Sequence, residues 1–348
     1  MPYRFLSKTA LVLGTMVGAS LLAEGLKAQT GASAIAISGS STVAPITELA
    51  VKGFKTSAAG RGISIGAVVE NGTSAGFRDF CSGRTTVSNA SRPINSKELK
   101  ACDTAGIRFY ELPIAFDAIT VVVNPTNTWA RSMSIADLRR LWSPTAQGKV
   151  NRWNQVRSDW PDKPIRLFGP GKDSGTFDYF NKAVNGDEDQ SRSDFVSSED
   201  DNVLVKGVSG DENALGYFGY AYFKANQNKL KAVAIAGPRG AILPSIQSVQ
   251  DEAYQPLSRP LFIYVNEKAL GSSPALRSFV SHYLTNAPQI VAQEGSVPLS
   301  NRQYELVKTK MLRQITGSAF SGDLPVGLTL GQLLNRSIDQ IKRPEFRS

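Results

Sequence analysis

Three short stretches of the chain combine glycine with serine or threonine immediately before a helical pattern. They are residues 39–42, 72–76 and 173–176. The first turn of a helix has unpaired N–H groups and the positive end of the helix dipole, so an anion can bind there. One such turn is usually only a helix cap. Three of them, each with a glycine that lets an anion approach the backbone, predict a small tetrahedral oxyanion held from several sides.

Strand-like and helical patterns alternate along the chain. Strands are predicted over residues 34–37, 63–69, 120–125, 165–168 and 261–265, and helices over residues 43–57, 77–80, 134–142, 177–184, 275–284, 288–294 and 302–315. This alternation predicts an α/β fold with largely parallel sheets. Ligands of such sheets bind where strands end and helices begin. All three glycine-hydroxyl turns fall at positions of that kind.

The first 28 residues have the features of a secretory signal peptide. Arg4 and Lys8 precede a small, apolar stretch over residues 9–23, and Ala28 provides a cleavage site. The alternative interpretation of such a segment is a membrane anchor, but the apolar stretch is too short to span a bilayer. We therefore predict an exported protein that is not inserted in the membrane. Cys81 and Cys102 remain after cleavage, and a nearby pair in an oxidising compartment predicts a disulfide, with a free buried pair as the alternative.

The remaining chain of about 320 residues is too long for one ordinary core and suits two domains. No repeat or low-complexity linker separates them. We therefore expect two lobes joined by crossing strands, with residues 112–123 and 258–265 as candidates. Lobe I would comprise residues 35–117 and 264–348, and lobe II residues 118–263.

The net charge and the histidine content limit the classes of function that the chain can have. The formal net charge is +9, and removal of residues 1–28 leaves +7. Lysine and arginine are scattered and no nucleic-acid-binding motif is present, so no nucleic-acid partner is predicted. The positive excess either steers anions inward or reflects a solvated surface. His282 is the only histidine, on an amphipathic helix, so we predict no metal site, no cofactor and no histidine-activated nucleophile.

Six segments form a more specific combination: residues 38–46, 71–77, 89–94, 169–177, 214–217 and 259–264. Together they resemble the periplasmic phosphate-binding proteins of ABC transporters, of the PstS type and its SphX-like branch. The resemblance implies a type II periplasmic binding protein fold, in which two α/β lobes joined by hinge strands close over inorganic phosphate. It also implies that the protein delivers phosphate to an ABC permease and catalyses no reaction. We expect a monomer.

The resemblance implies phosphate contacts at Thr42, Val43, Ser74, Ser174, Gly175 and Thr176, with backbone N–H groups as donors at the first two. The first turn and the Ser-Arg-Pro segment add Ser40, Ser41 and Arg92 as donors from the same lobe. Arginine suits this role because its guanidinium binds an oxyanion through two parallel N–H groups.

Two positions depart from the family pattern. Arg92 stands where the family has an aspartate that accepts a hydrogen bond from protonated phosphate. Pro170 stands where the family has an arginine four residues before the serine. Every side chain identified so far would then be a donor. Such a site prefers dianionic phosphate, so affinity should rise with pH until the second ionisation of phosphate is complete.

Three alternatives remain at this point. The ligand could be another oxyanion, namely sulfate or arsenate. The protein could be a secreted phosphohydrolase, although metal ligands and a histidine-paired nucleophile are missing from the sequence. It could also be an extracellular adhesin or sensor that uses phosphate only for stability.

Overall fold

A computed structural model describes residues 35–237 and 239–327. The strands are β1 (Ile35–Gly39), β2 (Ile65–Glu70), β3 (Val87–Ala90), β4 (Phe109–Val123), β5 (Ser132–Ser134), β6 (Arg166–Pro170), β7 (Val196–Ser198), β8 (Ala214–Gly219), β9 (Lys231–Ala232), β10 (Ala234–Gly237), β11 (Gly240–Ile242), β12 (Ser258–Asn266) and β13 (Val297–Pro298).

The helices are α1 (Ala44–Thr56), α2 (Thr73–Cys81), α3 (Ser96–Thr104), α4 (Ile135–Trp142), α5 (Trp153–Val156), α6 (Gly175–Asn185), α7 (Asp201–Ser209), α8 (Tyr220–Ala225), α9 (Ile246–Gln250), α10 (Glu267–Ser272), α11 (Pro274–Glu294) and α12 (Asn301–Leu312). A short 3-10 helix, Pro144–Ala146, follows α4. The α/β class predicted from the sequence is confirmed.

One long strand, β4, connects two groups of strands. The main sheet has the order β2-β1-β3-β12-β4-β8-β6-β7, with β13 and β9 also paired to β4. The first part of β4 pairs with β12, and its last part pairs with β8. We call β1–β3 with α1–α3, including their connecting turns, the first strand group. We call β6–β8 with α6–α8, including their turns, the second strand group.

Pairing within each group is parallel, as the strand–helix alternation predicts. β1 lies parallel to β2 and β3, and β6 lies parallel to β7 and β8. In the main sheet every antiparallel pair involves β4 or β12, which coincide with the two strands predicted to cross between lobes, and a separate sheet has the order β11-β10-β5. The division into lobes at residues 117 and 264 stays a prediction.

The two central strands, β4 and β12, are buried along their whole length. Strands covered on both faces read as nearly continuous apolar runs, and most of their side chains are apolar. The charged exceptions are Glu111, Asp117 and Arg259, each of which is buried and hydrogen bonded to protein groups. A charge inside such a strand requires a partner. Two of these exceptions, Asp117 and Arg259, pair with each other in the candidate site.

One helix prediction is wrong at Pro288. The sequence predicts separate helices over residues 275–284 and 288–294, but α11 continues through the proline. Proline removes one backbone hydrogen bond and normally kinks or ends a helix. Here the buried side chains of Leu284, Ala287, Ile290 and Val291 lie on both sides of it. Packing of this apolar face maintains the helix across the missing bond.

The predicted signal peptide and the end of predicted lobe I, beyond residue 327, lie outside the described residues. Within the part of the chain that is described, no helix has both the length and the apolar character needed to cross a bilayer.

Candidate anion-binding site

Each of the three glycine-hydroxyl turns connects a strand to a helix. The turns follow β1, β2 and β6 and lead into α1, α2 and α6. The first residue of α2 is Thr73, earlier than predicted, so the hydroxyl residues belong to its first turn. The residues that precede α1 and α2 provide no side-chain cap. The third turn differs, because Ser174 caps α6 by accepting a hydrogen bond from the N–H of Thr176 at 3.1 Å.

The second and third turns face each other across the two strand groups. The Ser74 N–H donates to the carbonyl oxygen of Asp173 at 2.9 Å. A Cβ atom added at Gly175 would lie 2.6 Å from Thr73 Oγ1 and 2.7 Å from Ser91 Oγ. Glycine at position 175 is therefore required for this close approach. The two turns supply hydroxyl groups to one buried space between the strand groups.

The first turn meets the third at a pair of buried threonine hydroxyls. Thr42 Oγ1 lies 3.3 Å from Thr176 Oγ1. The Nη2 atom of Arg259 donates to Thr176 at 2.8 Å and to Thr42 at 3.3 Å. Both hydroxyls accept from the same guanidinium, so at most one of their two protons is used between them and one remains to donate elsewhere.

Arg259 also has donors that the described residues do not use. Its side chain is fully buried, and its Nη1 atom has no hydrogen-bond partner among the described residues. Nη1 of a guanidinium carries two N–H donors. A buried donor without a partner costs about 1–3 kcal/mol. A positively charged group with two free donors beside two hydroxyls is suited to bind an anion.

Asp117 fixes the direction of that guanidinium. Asp117 and Arg259 are opposite each other in the β4–β12 ladder. The Oδ2 atom of Asp117 accepts from Nε of Arg259 at 3.1 Å and from Nη2 at 2.9 Å, while Oδ1 accepts from the N–H of Tyr220 at 2.9 Å. Both charged side chains are fully buried. The carboxylate occupies one edge of the guanidinium and leaves Nη1 available.

Sequence reasoning did not select Arg259 as a donor, although it lies in a segment that carries the resemblance. A signal was present, because β4 and β12 are apolar runs and Asp117 and Arg259 carry opposite charges within them. Each of the two predicted crossing strands, residues 112–123 and 258–265, contains one charged residue, and opposite charges in strands that are expected to pair predict a buried ion pair.

Ser41 and Val43 direct their predicted donors to protein groups. Ser41 Oγ donates to Asp201 Oδ2 at 3.0 Å, and the Val43 N–H donates to the Ser40 carbonyl oxygen at 3.2 Å. Burial raises the pKa of Asp201 to about 7, although the hydrogen bond from Ser41 acts in the opposite direction. Ser40 is buried in the same turn. In this structure Ser41 and Val43 therefore stabilise the first turn.

Arg92 does not make the site a cluster of donors alone, and that expectation is wrong. Its Nε donates to Asp178 at 2.6 Å, and two further N–H groups bind Glu98, each at 2.7 Å. The other two reach the Pro93 carbonyl oxygen at 3.0 Å and Ser74 Oγ at 2.8 Å. A guanidinium has five N–H donors, so all of them are used. Two carboxylates now lie beside the predicted site, and the expected rise of affinity with pH no longer follows.

Burial disfavours the charged forms of both Arg92 and Asp178, but the neighbouring opposite charges outweigh burial only at Arg92. Burial opposes the charge of Arg92, but Glu98 and Asp178 outweigh it and raise its pKa. Burial also raises the pKa of Asp178 to about 6, although Arg92 acts in the opposite direction. A cavity of about 370 Å³ borders Ser74, Glu98 and Asp178. Thr42, Thr176 and Arg259 are not part of its walls, so this cavity is distinct from the buried hydroxyl pair.

The predicted disulfide between Cys81 and Cys102 is confirmed. It connects the last residue of α2 to α3, the helix that carries Glu98. The crosslink therefore holds together two helices of the first strand group that surround Arg92.

The PBP superfamily domain matches residues 26–287, about three quarters of the chain. Protein SphX of Synechocystis is 48% identical over 302 residues, which cover 87% of this chain and 89% of that protein. The phosphate-binding protein PstS of Staphylococcus haemolyticus is 35% identical over 271 residues, covering 77% of this chain and 81% of that protein. The chain belongs to the PBP superfamily, among the SphX and PstS proteins.

Solved structures of the same superfamily support this assignment. A possible phosphate-binding protein from Planctomyces limnophilus is 38% identical and superposes with a TM-score of 0.60, covering 80% of this chain and 98% of its own. A Clostridium perfringens ABC-transporter substrate-binding protein, solved with bound phosphate, is 25% identical with a TM-score of 0.64, covering 77% and 100%. The type II periplasmic binding protein fold implied by the resemblance is confirmed.

Proposed function

We propose that this protein captures inorganic phosphate between two lobes and delivers it to an ABC permease. The observation that carries the proposal is Arg259, whose buried Nη1 has two donors that no described residue uses, beside the hydroxyls of Thr42 and Thr176. An oxyanion there completes the hydrogen bonds of a buried cation. The names of the PstS relatives and of the Clostridium structure support phosphate as that oxyanion.

The lobes of the proposal are those predicted from the sequence, residues 35–117 with the segment from residue 264, and residues 118–263. The proposed phosphate ligands are Ser40, Thr42, Ser74, Ser174, Gly175, Thr176 and Arg259. Ser41, Val43 and Arg92 act by supporting the turns, because their donors bind protein groups in this structure. Closure of the lobes brings the three turns together around the anion.

The proposal includes export and the absence of catalysis. The leader over residues 1–28 directs the chain to the periplasm, where the mature protein acts as a monomer. The PstS relatives and the Clostridium structure carry the names of binding proteins. His282 packs on Phe54 of α1 with ring centroids 5.4 Å apart, and its Nδ1 lies 3.3 Å from Asn286 Nδ2. These contacts give the only histidine a structural role on α11.

Calorimetry of the dialysed mature protein with phosphate, arsenate and sulfate tests the proposal. We expect stoichiometric, tight binding of phosphate, and of arsenate because it has the same shape and protonation. Tight binding of sulfate without binding of phosphate would show that sulfate, and not phosphate, is the ligand. Turnover of a phosphate ester, with or without divalent metal, would establish the phosphohydrolase instead.

A further inference from the structure

Arg92 connects the two strand groups through a single donor. Four of its N–H groups bind residues of its own strand group: Glu98 twice, Pro93 and Ser74. The fifth, Nε, binds only Asp178, which lies in the first turn of α6 in the second strand group. The guanidinium is therefore held in place by one lobe and completed by the other.

The contact between Arg92 Nε and Asp178 is strong because it is buried and joins two charged groups. The Arg92 side chain is fully buried, and the side chains of Glu98 and Asp178 are 11% and 9% exposed. Hydrogen bonds between ionised partners are about twice as strong as neutral ones, and buried charges are little screened by salt. If the strand groups separate, Nε loses its acceptor while the other four donors keep theirs. In this structure protein groups accept all five donors, and separation of the strand groups would leave Nε without a protein acceptor.

Glu98 holds the guanidinium ready for this contact. It occupies the third position of α3, where its carboxylate also accepts from the N–H of Asn95 at 2.9 Å in a capping box. Its two oxygens each accept from a different terminal nitrogen of Arg92. This two-point contact fixes the plane of the guanidinium, so Nε points toward α6 before closure.

The same arginine orients a proposed phosphate ligand. Ser74 Oγ accepts from Arg92 Nη2 at 2.8 Å, and the Ser74 N–H binds Asp173 of the opposite strand group. A hydroxyl that accepts from a cation directs its own proton elsewhere. In this structure that proton is directed to Asp178 Oδ2, 3.5 Å from Ser74 Oγ, which adds a longer second contact to the ion pair between the strand groups.

We propose that Arg92 is a positioning residue and not a phosphate ligand, and that its Nε–Asp178 ion pair latches the two lobes in the closed state. This inference rests on the proposed function, because it assumes that the lobes open and close around phosphate. The latch acts after phosphate has entered, so it slows the release of phosphate and leaves the rate of association nearly unchanged.

A second ion pair between the strand groups offers a matched control. Arg78 Nη1 binds Asp173 Oδ1 at 2.7 Å, but these side chains are 59% and 41% exposed. Exposed ion pairs contribute about 0.2–1 kcal/mol. Asp178→Ala should accelerate phosphate release about ten- to a hundredfold, as expected for a lost hydrogen bond to a charged group. Asp173→Ala should accelerate it less than about fivefold.

The experiment measures phosphate association and release by stopped-flow fluorescence of the mature protein, and compactness by small-angle X-ray scattering. Asp178→Asn, which keeps a neutral acceptor and preserves volume, should fall between wild type and Asp178→Ala. It also keeps the test valid if the alanine variant does not fold. We expect both position-178 variants to show a larger radius of gyration than wild type.

Wild-type release and compactness in Asp178→Ala would overturn the latch. So would a slower association with unchanged release, because that result would make Asp178 a direct contact of the entering anion. If wild type binds no phosphate, the proposed function fails, and scattering still decides the latch, since the variants must then be more open than the wild type in buffer alone.

Discussion

Replacing Arg259 with lysine tests the role of the free donors at the centre of the site. Lysine keeps a positive charge next to Asp117 but cannot bind that carboxylate with Nε and Nη2 while also presenting Nη1. The charge of the pair is preserved, so the variant should fold. Removal of the cation altogether would leave the buried carboxylate of Asp117 without its partner and lower the free energy of unfolding by about 3–5 kcal/mol.

The expected loss of affinity follows from the number of donors. Nη1 carries two N–H groups, and a hydrogen bond to a charged partner is worth about 1.5–3 kcal/mol. The ammonium of lysine retains part of the electrostatic attraction, so we count the loss as that of one directed bond. At 1.4 kcal/mol per factor of ten, phosphate affinity should fall roughly ten- to a hundredfold.

Calorimetry with phosphate and thermal unfolding without phosphate separate binding from stability. Arg192→Lys is the matched control, because Arg192 is also buried, binds Asp194 with Nε and Nη2, and donates Nη1 to two carbonyl oxygens. It should lose stability and keep full phosphate affinity. Unchanged affinity in a folded Arg259→Lys protein, or an equal loss in Arg192→Lys, would refute the assignment of Arg259.

The other predictions concern the third turn, a buried carboxylate and the disulfide. Ser174→Ala removes both a helix cap and a proposed phosphate donor. Calorimetry should show a roughly ten- to hundredfold loss of phosphate affinity, and denaturant unfolding should show that the free energy of unfolding falls by about 0.5–2 kcal/mol. Full affinity with lower stability would mean that Ser174 acts only as a cap. Because the pKa of Asp201 is raised to about 7 in the folded protein, its contribution to stability is greatest below about pH 4 and is lost as pH rises through about 7. Asp201→Asn should therefore raise the melting temperature at pH 8 and have little effect at pH 4. An equal change at both pH values would contradict this. Reduction of Cys81–Cys102, which closes a loop of 21 residues, should lower the free energy of unfolding by about 2–4 kcal/mol with phosphate affinity nearly unchanged, as measured by denaturant unfolding and calorimetry.

Much of the fold was predictable because its determinants are local. The strand–helix alternation and the buried runs that became β4 and β12 are visible in short windows of sequence. The wrong prediction at Pro288 shows a case in which local sequence preferences do not determine the structure. Proline disfavours a helix in any sequence, and only the packing of the apolar face of α11 in three dimensions outweighs that preference.

The candidate site likewise has a part that local sequence predicts and a part that only the folded chain reveals. The glycine-hydroxyl turns were predictable because a helix start is encoded by adjacent residues. The partners of Arg92 and Arg259 were not, because Asp178 is 86 residues from Arg92 and Asp117 is 142 residues from Arg259. All five donors of Arg92, the arginine chosen from its motif, bind protein groups, whereas the arginine with donors that no described residue uses is recognised only when two distant strands pair.

A crystal structure of the mature protein grown with phosphate tests the central claim most directly. We predict a tetrahedral anion within hydrogen-bond distance of Arg259 Nη1 and of the hydroxyl groups of Thr42 and Thr176, with Arg92 still bound to Glu98 and Asp178. An anion bound to the guanidinium of Arg92, with Arg259 directed away from it, would contradict the account.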